Sequence, residues 1–359
     1  MEKRSPFEHL PVELLDIITR EVIEDSSIKS LSCVSGILRL VCYPYLFHTL
    51  KIRFSLDGLT RLKQISASKV AHYVNVINYE ASELIDPLIR SPIYFRRHIY
   101  TPEEYIRDEN ELCWSNRGNT ITYDSIYSYF RLLSKEQQEI LNKDRDIMSL
   151  QSCLPQFTRL TCFQVSFVDG VERPFQWFAG RVLVDWKSSF PDHFENVIRA
   201  ICAAKQAGIH IRTFQVSSFY SRLPLVGSEL TSLAATALSE VEELRLTDSP
   251  GLLDFLSIVA LPSLQRLELE DCWLWLPELE EFLLAHTSTL QVLHLENAWL
   301  PSEITYDWGI TWGLGTTKTI INGISKIKIG RALQELTINR KGRNEFEYKR
   351  IFKNSACHQ

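Results

Sequence analysis

A short apolar pattern recurs six times in the second half of the sequence and restricts the fold more than any other feature. The pattern is apolar-x-x-apolar-x-apolar, and its middle apolar residues are 51, 30, 23, 26 and 43 positions apart. Each occurrence predicts one short strand whose alternate side chains point to one side. Because a single strand cannot bury that side alone, neighbouring units must stack on one another. The six occurrences begin at Leu160, Ile211, Val241, Leu264, Leu290 and Leu333.

Two successive units, residues 261–270 and 288–296, have matching flanks and resemble leucine-rich repeats. The segment 277–284 between them has helical character and is expected on the convex side. Cys272 stands where such repeats often place Asn or Cys to satisfy backbone groups at the turn. We therefore predict an α/β fold with an irregular leucine-rich-repeat solenoid, with parallel strands on the concave face and helices and loops on the convex face. The spacings of 51 and 43 residues require insertions or an unrecognised repeat.

The first 54 residues predict a small helical unit. Leu10-Pro11 begins an amphipathic helix, since Pro is tolerated at the first helical position and apolar residues follow at helical spacing. A second short helix is expected from Ile28, a third from Ile37, and an alternating strand over 49–54. Three short helices bury little surface alone, so apolar side chains should remain for a partner or for the next domain.

This N-terminal pattern resembles the F-box of fungal F-box proteins, which commonly continue into degenerate leucine-rich repeats. The resemblance covers roughly residues 5–50 and implies binding to a Skp-type adaptor and, through it, to the cullin of a cullin–RING ubiquitin ligase. The sequence departs from the family pattern at 35–37, where Ser-Gly-Ile replaces the basic residue and Trp of many members. By resemblance, the adaptor-binding residues would be Leu10, Pro11, Leu14, Ile18, Leu31 and Val34.

These patterns divide the chain into four parts. Residues 1–54 are predicted to form the F-box-like helical domain and 55–153 a linking region of strands and helices with an irregular insertion at 80–120. Residues 154–345 would form the solenoid and 346–359 a C-terminal tail. The insertion holds two prolines, an aromatic-basic stretch and an acidic stretch, and we interpret it as a long surface loop.

The residues between the inward leucines are candidates for client binding. Arg245, Glu268 and His294 should point to the concave face in one row, with Glu270 and Glu296 beside them. This patch is acidic and could select a basic client segment through complementary charge. The alternative is the ordinary solvated surface of a strand.

Two tryptophans occupy equivalent places in successive repeats. Trp273 and Trp299 each follow the middle leucine, Leu267 and Leu293 respectively, by six residues. They could anchor a client, since Trp is enriched at binding hot spots. A tryptophan ladder that closes the solenoid core is the alternative, and it is the interpretation we favour.

Composition excludes several classes of partner. The formal net charge of −5 gives no basic balance for nucleic acid, and no apolar stretch approaches the roughly 18–20 residues that span a bilayer. Residues 1–6 lead into an amphipathic segment, unlike a secretory signal. We therefore expect no nucleic-acid or membrane partner and a cytoplasmic or nuclear location.

No pattern for catalysis, metal binding or a cofactor occurs. The eight cysteines contain no C-x-x-C pair, and the sequence has neither G-x-S-x-G nor H-E-x-x-H. We therefore expect a non-enzymatic protein that recognises the substrate of an SCF-type cullin–RING ubiquitin ligase, with the client itself unidentified. The alternative is a leucine-rich-repeat scaffold without a ligase.

Overall fold

One sheet organises the chain, and its strands follow one another in sequence order from β1 to β9. The structure, a computed structural model, describes residues 10–24, 27–112, 121–184, 186–223, 229–298, 332–340 and 346–351. Successive strands from β1 to β8 are parallel, and β9 is antiparallel to β8. A row that grows by one parallel strand per unit is the arrangement of a solenoid-like α/β fold. The strands are β1 (Thr49–Arg53), β2 (Val76–Ser82), β3 (Cys162–Val168), β4 (Thr213–Ser217), β5 (Glu243–Thr247), β6 (Arg266–Glu270), β7 (Val292–Glu296), β8 (Glu335–Arg340) and β9 (Phe346–Ile351).

Thirteen α-helices lie in the described part of the chain, and most of them connect one strand to the next. In chain order they are α1 (Val12–Glu24), α2 (Ile28–Ser32), α3 (Gly36–Leu46), α4 (Leu56–Ser66), α5 (Pro92–Tyr94), α6 (Pro102–Leu112), α7 (Tyr123–Leu141), α8 (Arg145–Cys153), α9 (Ala179–Val182), α10 (Trp186–Gln206), α11 (Glu229–Ala237), α12 (Leu252–Ser257) and α13 (Leu276–Ala285).

The six predicted repeats form six neighbouring strands in register. Leu267 lies opposite Leu244 on one side and Leu293 on the other, and all three are at most 1% exposed. The same column continues through Phe163, Phe214 and Leu336. The register follows the apolar spacing, because alternate residues of every strand enter one shared core.

The strand row begins earlier than residue 154, where the solenoid was expected to start. Ile77 of β2 pairs with Phe163, and Leu50 of β1 pairs with Ile77, so both early strands extend the same buried column. At the other end, residues 346–351 form β9, although they were assigned to a C-terminal tail.

A left-handed residue ends each of four successive strands. Ser218, Asp248, Asp271 and Asn297 have φ between 49° and 58°, a region that Asp and Asn enter more readily than most residues. The backbone N–H groups of the first three donate to the last residue of the next strand at 2.8–2.9 Å, and that of Asn297 donates to Asn339, one residue before the end of β8, at 2.8 Å. Because of this repeated turn, the chain leaves the sheet at the equivalent position in each unit.

Cys272 forms a hydrogen bond with a backbone carbonyl next to this turn, as predicted. Its Sγ is fully buried and donates to the carbonyl of Leu246 at 3.4 Å. Ser249 holds the same place one repeat earlier and donates to the carbonyl of Val216 at 3.4 Å.

Residues 83–112 fold into short helices with a buried aromatic core, which differs from the surface loop expected at 80–120. Phe95 and Tyr100 are fully buried and pack with Phe130 of α7 and Phe178. The side chain of Gln137 anchors the segment, since it accepts from the N–H of Ile85 and donates to the carbonyl of Glu83. This core depends on residues distant in sequence, so local composition did not reveal it. Residues 113–120 lie outside the described part.

The spacing of 51 residues between two repeats is an insertion. It contains α9 and the long helix α10, whose Phe194, Val197 and Ile201 are fully buried against the strand row. The spacing of 43 residues falls mostly on 299–331, outside the described residues.

Candidate functional site

The concave face of the sheet carries polar side chains around a cavity of about 460 Å³. Its lining comes from alternate positions of β3 to β7, because side chains on one face of a strand recur every second residue. The polar and charged lining residues are Gln164, Ser166, Gln215, Ser217, Arg245, Thr247, Glu268, Glu270, His294 and Glu296. The structure thus brings five of the predicted client-binding residues together: Arg245, Glu268, Glu270, His294 and Glu296.

Four charges on β5 and β6 form a closed network on this face. Arg245 lies 2.8 Å from Glu243 and 3.0 Å from Glu268. Arg266 lies 3.3 Å from Glu243 and 2.5 Å from Glu268. Partial burial disfavours the charged form of Arg245, but its hydrogen bond and ion pairs with the two glutamates outweigh this, so its pKa is raised. Both arginine charges are therefore matched by glutamates within the sheet.

Two further glutamates lie beside this network. Glu270 and Glu296 are opposite one another on β6 and β7. Thr247 donates to Glu270 at 3.4 Å, and His294 Nε2 lies 3.6 Å from Glu296. On β5 to β7, then, two arginines face four glutamates, and this end of the cavity has an excess of negative charge.

The other end of the cavity is uncharged. Gln215 of β4 lies opposite Gln164 of β3, which lies opposite Asn78 of β2. These amides form a row that can both donate and accept hydrogen bonds. Asn78 Oδ1 is shielded from solvent and has no hydrogen-bond partner in the structure as described. The sequence prediction omitted these residues, although their positions between buried apolar neighbours gave the signal.

Trp273 lies at the rim where the strands end. It is 47% exposed, whereas its neighbours Cys272 and Leu274 are fully buried. The favoured interpretation of a tryptophan ladder that closes the core is therefore wrong for Trp273, because its indole lies outside the core. Its role in client binding stays a prediction. Trp299 lies outside the described residues.

A second surface belongs to the helical unit formed by α1, α2 and α3. Its core is small, with Leu15, Leu38 and Val41 buried and Leu10 and Leu31 partly buried against them. Among the side chains described in this unit, five apolar ones are about half exposed or more: Val12 (59%), Leu14 (46%), Ile17 (54%), Val34 (70%) and Leu40 (63%). A unit of this size can bury only part of its apolar surface by itself.

A polar clamp fixes α1 on α3 and decides which flank of α1 faces outward. The hydroxyl of Tyr45 donates to Asp16 at 2.6 Å and accepts from Arg20 Nε at 3.0 Å. By helical geometry, Leu14 lies about 160° around the helix from Asp16, whereas Ile17 lies between Leu14 and the clamp residues.

The six predicted adaptor-binding residues fall into two groups. Pro11, Leu14 and Val34 are exposed. Leu10, Ile18 and Leu31 are half-buried, and two of these serve the helical core. The prediction did not include the exposed Ile17 and Leu40, since which flank α3 covers depends on packing rather than on helical spacing.

Two further searches and two comparisons cover the described residues and the sequence. No three His, Cys, Asp or Glu side chains there are grouped as metal ligands would be. None of the helices described there is both long and apolar enough to cross a bilayer. No protein-family model matches the sequence, and no curated protein is significantly similar to it.

Proposed function

We propose that this protein is the substrate-recognition subunit of an SCF-type cullin–RING ubiquitin ligase, with a Skp-type adaptor on the helical unit and a client on the concave face. One observation supports the proposal: one chain has two exposed surfaces of opposite character. The helical unit exposes apolar side chains, and the strand row exposes a polar, charged cavity. Two unlike surfaces suit a protein that joins two unlike partners.

The apolar surface supplies the driving force for binding the adaptor. Leu14, Ile17 and Val34 are each about half exposed or more. Burial of one such side chain against a partner contributes on the order of 1–2 kcal/mol. A few of them together would give a stable complex after the loss of translational and rotational freedom is offset.

No side chain of this chain needs to be catalytic in such a complex. The ligase acts by holding a lysine of the client close to a charged ubiquitin-conjugating enzyme, and proximity lowers the barrier. The strand row is suited to this role because its shared core makes it a rigid support for the client.

Co-expression with a Skp-type adaptor, followed by size-exclusion chromatography, tests the proposal. We expect a 1:1 complex for the wild type and loss of the complex for Leu14→Asp/Val34→Asp. A matched control is Ile106→Asp/Leu132→Asp, which places the same charges at positions 58% and 63% exposed on α6 and α7. The control should still form the complex. No complex for the wild type, or equal loss in both variants, would contradict the proposal.

One observation favours a second candidate, a leucine-rich-repeat scaffold without a ligase. Ser35 stands near the place where many F-box proteins carry a basic residue and Trp. Here it caps α3 and accepts from the N–H of Leu38 at 3.3 Å. The position thus has a structural role instead of presenting a large side chain. This scaffold would bind a client on the concave face but no Skp-type adaptor in the same co-expression.

A further inference from the structure

We propose that the concave face binds an extended peptide segment of the client that carries lysine or arginine, with the cationic side chain between β6 and β7 beside Glu270 and Glu296. This inference rests on the proposed function, because it specifies the chemical class of the client. Three features of the concave face support the inference: its charge, its hydrogen-bonding capacity and the geometry of its strands.

Charge disfavours an acidic or phosphorylated partner at the β5 to β7 end of the cavity, and the two cations of β1 on this face, Lys51 and Arg53, are already paired with Glu80. Of the described residues that line the cavity, Arg245 is the one arginine, and Glu243 and Glu268 lie 2.8 and 3.0 Å from it. An anion could bind only by breaking these ion pairs and approaching the glutamates. Among the described residues that line the cavity, Glu270 and Glu296 add two negative charges to the one of Glu268. A cationic side chain there would gain complementary charge.

Partial burial strengthens this attraction. The side chain of Glu296 is 19% exposed, whereas Glu270 is exposed. A charge that approaches Glu296 therefore leaves much of the screening solvent behind, and its interaction with that carboxylate is stronger than at an open surface.

The amide row suits a peptide backbone. Gln164 and Gln215 line the cavity on the side away from the glutamates, with Asn78 next in register. An amide side chain can donate to a peptide carbonyl and accept from a peptide N–H. Asn78 Oδ1 is shielded from solvent, so Gln164 and Gln215 are the amides of this row that a peptide in the cavity can reach. The row can hold a backbone of any sequence, while the glutamates select the charge.

Strand geometry sets the length of the segment. Four strand steps separate Gln164 on β3 from Glu296 on β7, which is about 19 Å at about 4.8 Å per step. An extended peptide rises about 3.3 Å per residue, so about six residues cover this distance. The cationic residue should therefore lie at one end of a six-residue contact.

The rim beside the glutamates adds to the cationic preference. Asp248 and Asp271 follow β5 and β6 directly, and the exposed indole of Trp273 comes two residues after Asp271. An indole face attracts lysine and arginine through its quadrupole. A second basic residue of the client would find an acidic and aromatic surface here.

Selection of random ten-residue peptides displayed on phage, with the full-length protein as bait, tests the inference. We expect the recovered peptides to be enriched in Lys or Arg. Their affinity, measured by fluorescence polarisation, should fall about tenfold or more on Glu270→Gln/Glu296→Gln, since the loss of one good charge pair corresponds to about that factor. The amide isosteres keep side-chain size, and thermal melting checks the fold.

The matched control is Glu280→Gln/Glu281→Gln on α13, which removes the same two charges from the convex side. Affinity should change less than about twofold there. An acidic or apolar consensus, equal loss in both double variants, or no peptide that depends on Glu270 and Glu296 would overturn the inference.

Adaptor binding by the same preparations separates this inference from the proposed function. Glu270→Gln/Glu296→Gln should still form the complex with the Skp-type adaptor. If the complex forms but the recovered peptides are not basic, the client class is wrong and the ligase role remains. If basic peptides bind but no adaptor complex forms, the ligase role is wrong and the peptide site remains.

Discussion

The N-terminal helical unit and the strand row differ in where their apolar side chains lie. In the helical unit, three buried residues form the core while apolar residues such as Leu14 and Val34 are exposed. In the strand row, the columns through Leu267 and Leu269 are fully buried, and the opposite face carries amides and charges. The row therefore holds most of the buried core of the described residues, whereas the helical unit has a small core and exposed apolar side chains. This contrast underlies the proposal that the helical unit binds another protein.

A core truncation in the row should have the largest effect on stability. Leu267→Ala removes a fully buried side chain between two neighbouring strands and should lower the free energy of unfolding by about 2–5 kcal/mol. Leu15→Ala should instead open the helical unit locally and leave the row intact, because its core is small and separate. Urea denaturation followed by tryptophan fluorescence measures the first effect.

Leu132→Ala is the control for that truncation, since Leu132 is 63% exposed and its loss should cost less than about 0.5 kcal/mol. Equal destabilisation by Leu267→Ala and Leu132→Ala would show that the row is not the stabilising core.

Thiol labelling should be more than about 100-fold faster in the helical unit than in the strand row. Cys33 is exposed in the helical unit, while Cys272 is buried in the row. Burial raises the pKa of Cys272 to about 11, so under about 1% of it is ionised at pH 8.5, and the thiolate is the reactive form. Iodoacetamide at pH 8.5, with peptide mass spectrometry, gives the two rates. Comparable rates would place Cys272 at the surface and contradict the stacked core.

A smaller effect concerns how the stability of the strand row depends on pH. Burial, followed by the neighbouring carboxylate of Asp254, raises the pKa of Glu278 to about 7. Because the folded state prefers the protonated form, this group stabilises the fold below its ordinary pKa near 4.5. That stabilisation is lost as pH rises through about 7. Solvent screens a half-exposed carboxyl, so the effect should be modest.

The difference between two variants isolates this contribution from other carboxylates. Glu278→Gln should flatten the fall in melting temperature between pH 5 and pH 8, whereas Glu280→Gln on the same helix should leave it unchanged. A fall that persists in Glu278→Gln would mean that another group causes it.

The sequence revealed the strand row well because the information there is local. Every strand repeats the same apolar spacing, and the paired columns follow from it without knowledge of distant contacts. The early strands carry the spacing too, in Val74-x-x-Ile77-x-Tyr79, but with an aromatic residue in a place where leucine is usual. The concave charges were predictable for the same reason, since alternation assigns each residue to one face.

The remaining features depend on contacts between distant segments. Phe95 and Tyr100 are buried only because α7 and residues near Phe178 cover them. Composition alone made that stretch resemble a loop. The exposure of Leu14 likewise depends on how Tyr45 holds α1 by Asp16, and helical spacing could not choose between the two flanks. The indole of Trp273 lies at the rim because the left-handed turn at Asp271 precedes it, and apolar character by itself favoured the core.

Hydrogen–deuterium exchange of the full-length protein, alone and with a Skp-type adaptor, tests the division of roles most directly. When the adaptor is present, we expect slower exchange confined to residues 10–46. The exchange rates of the amides of β4 to β7 should not change. An absence of protection in residues 10–46, or protection that falls on the strand row instead, would contradict it.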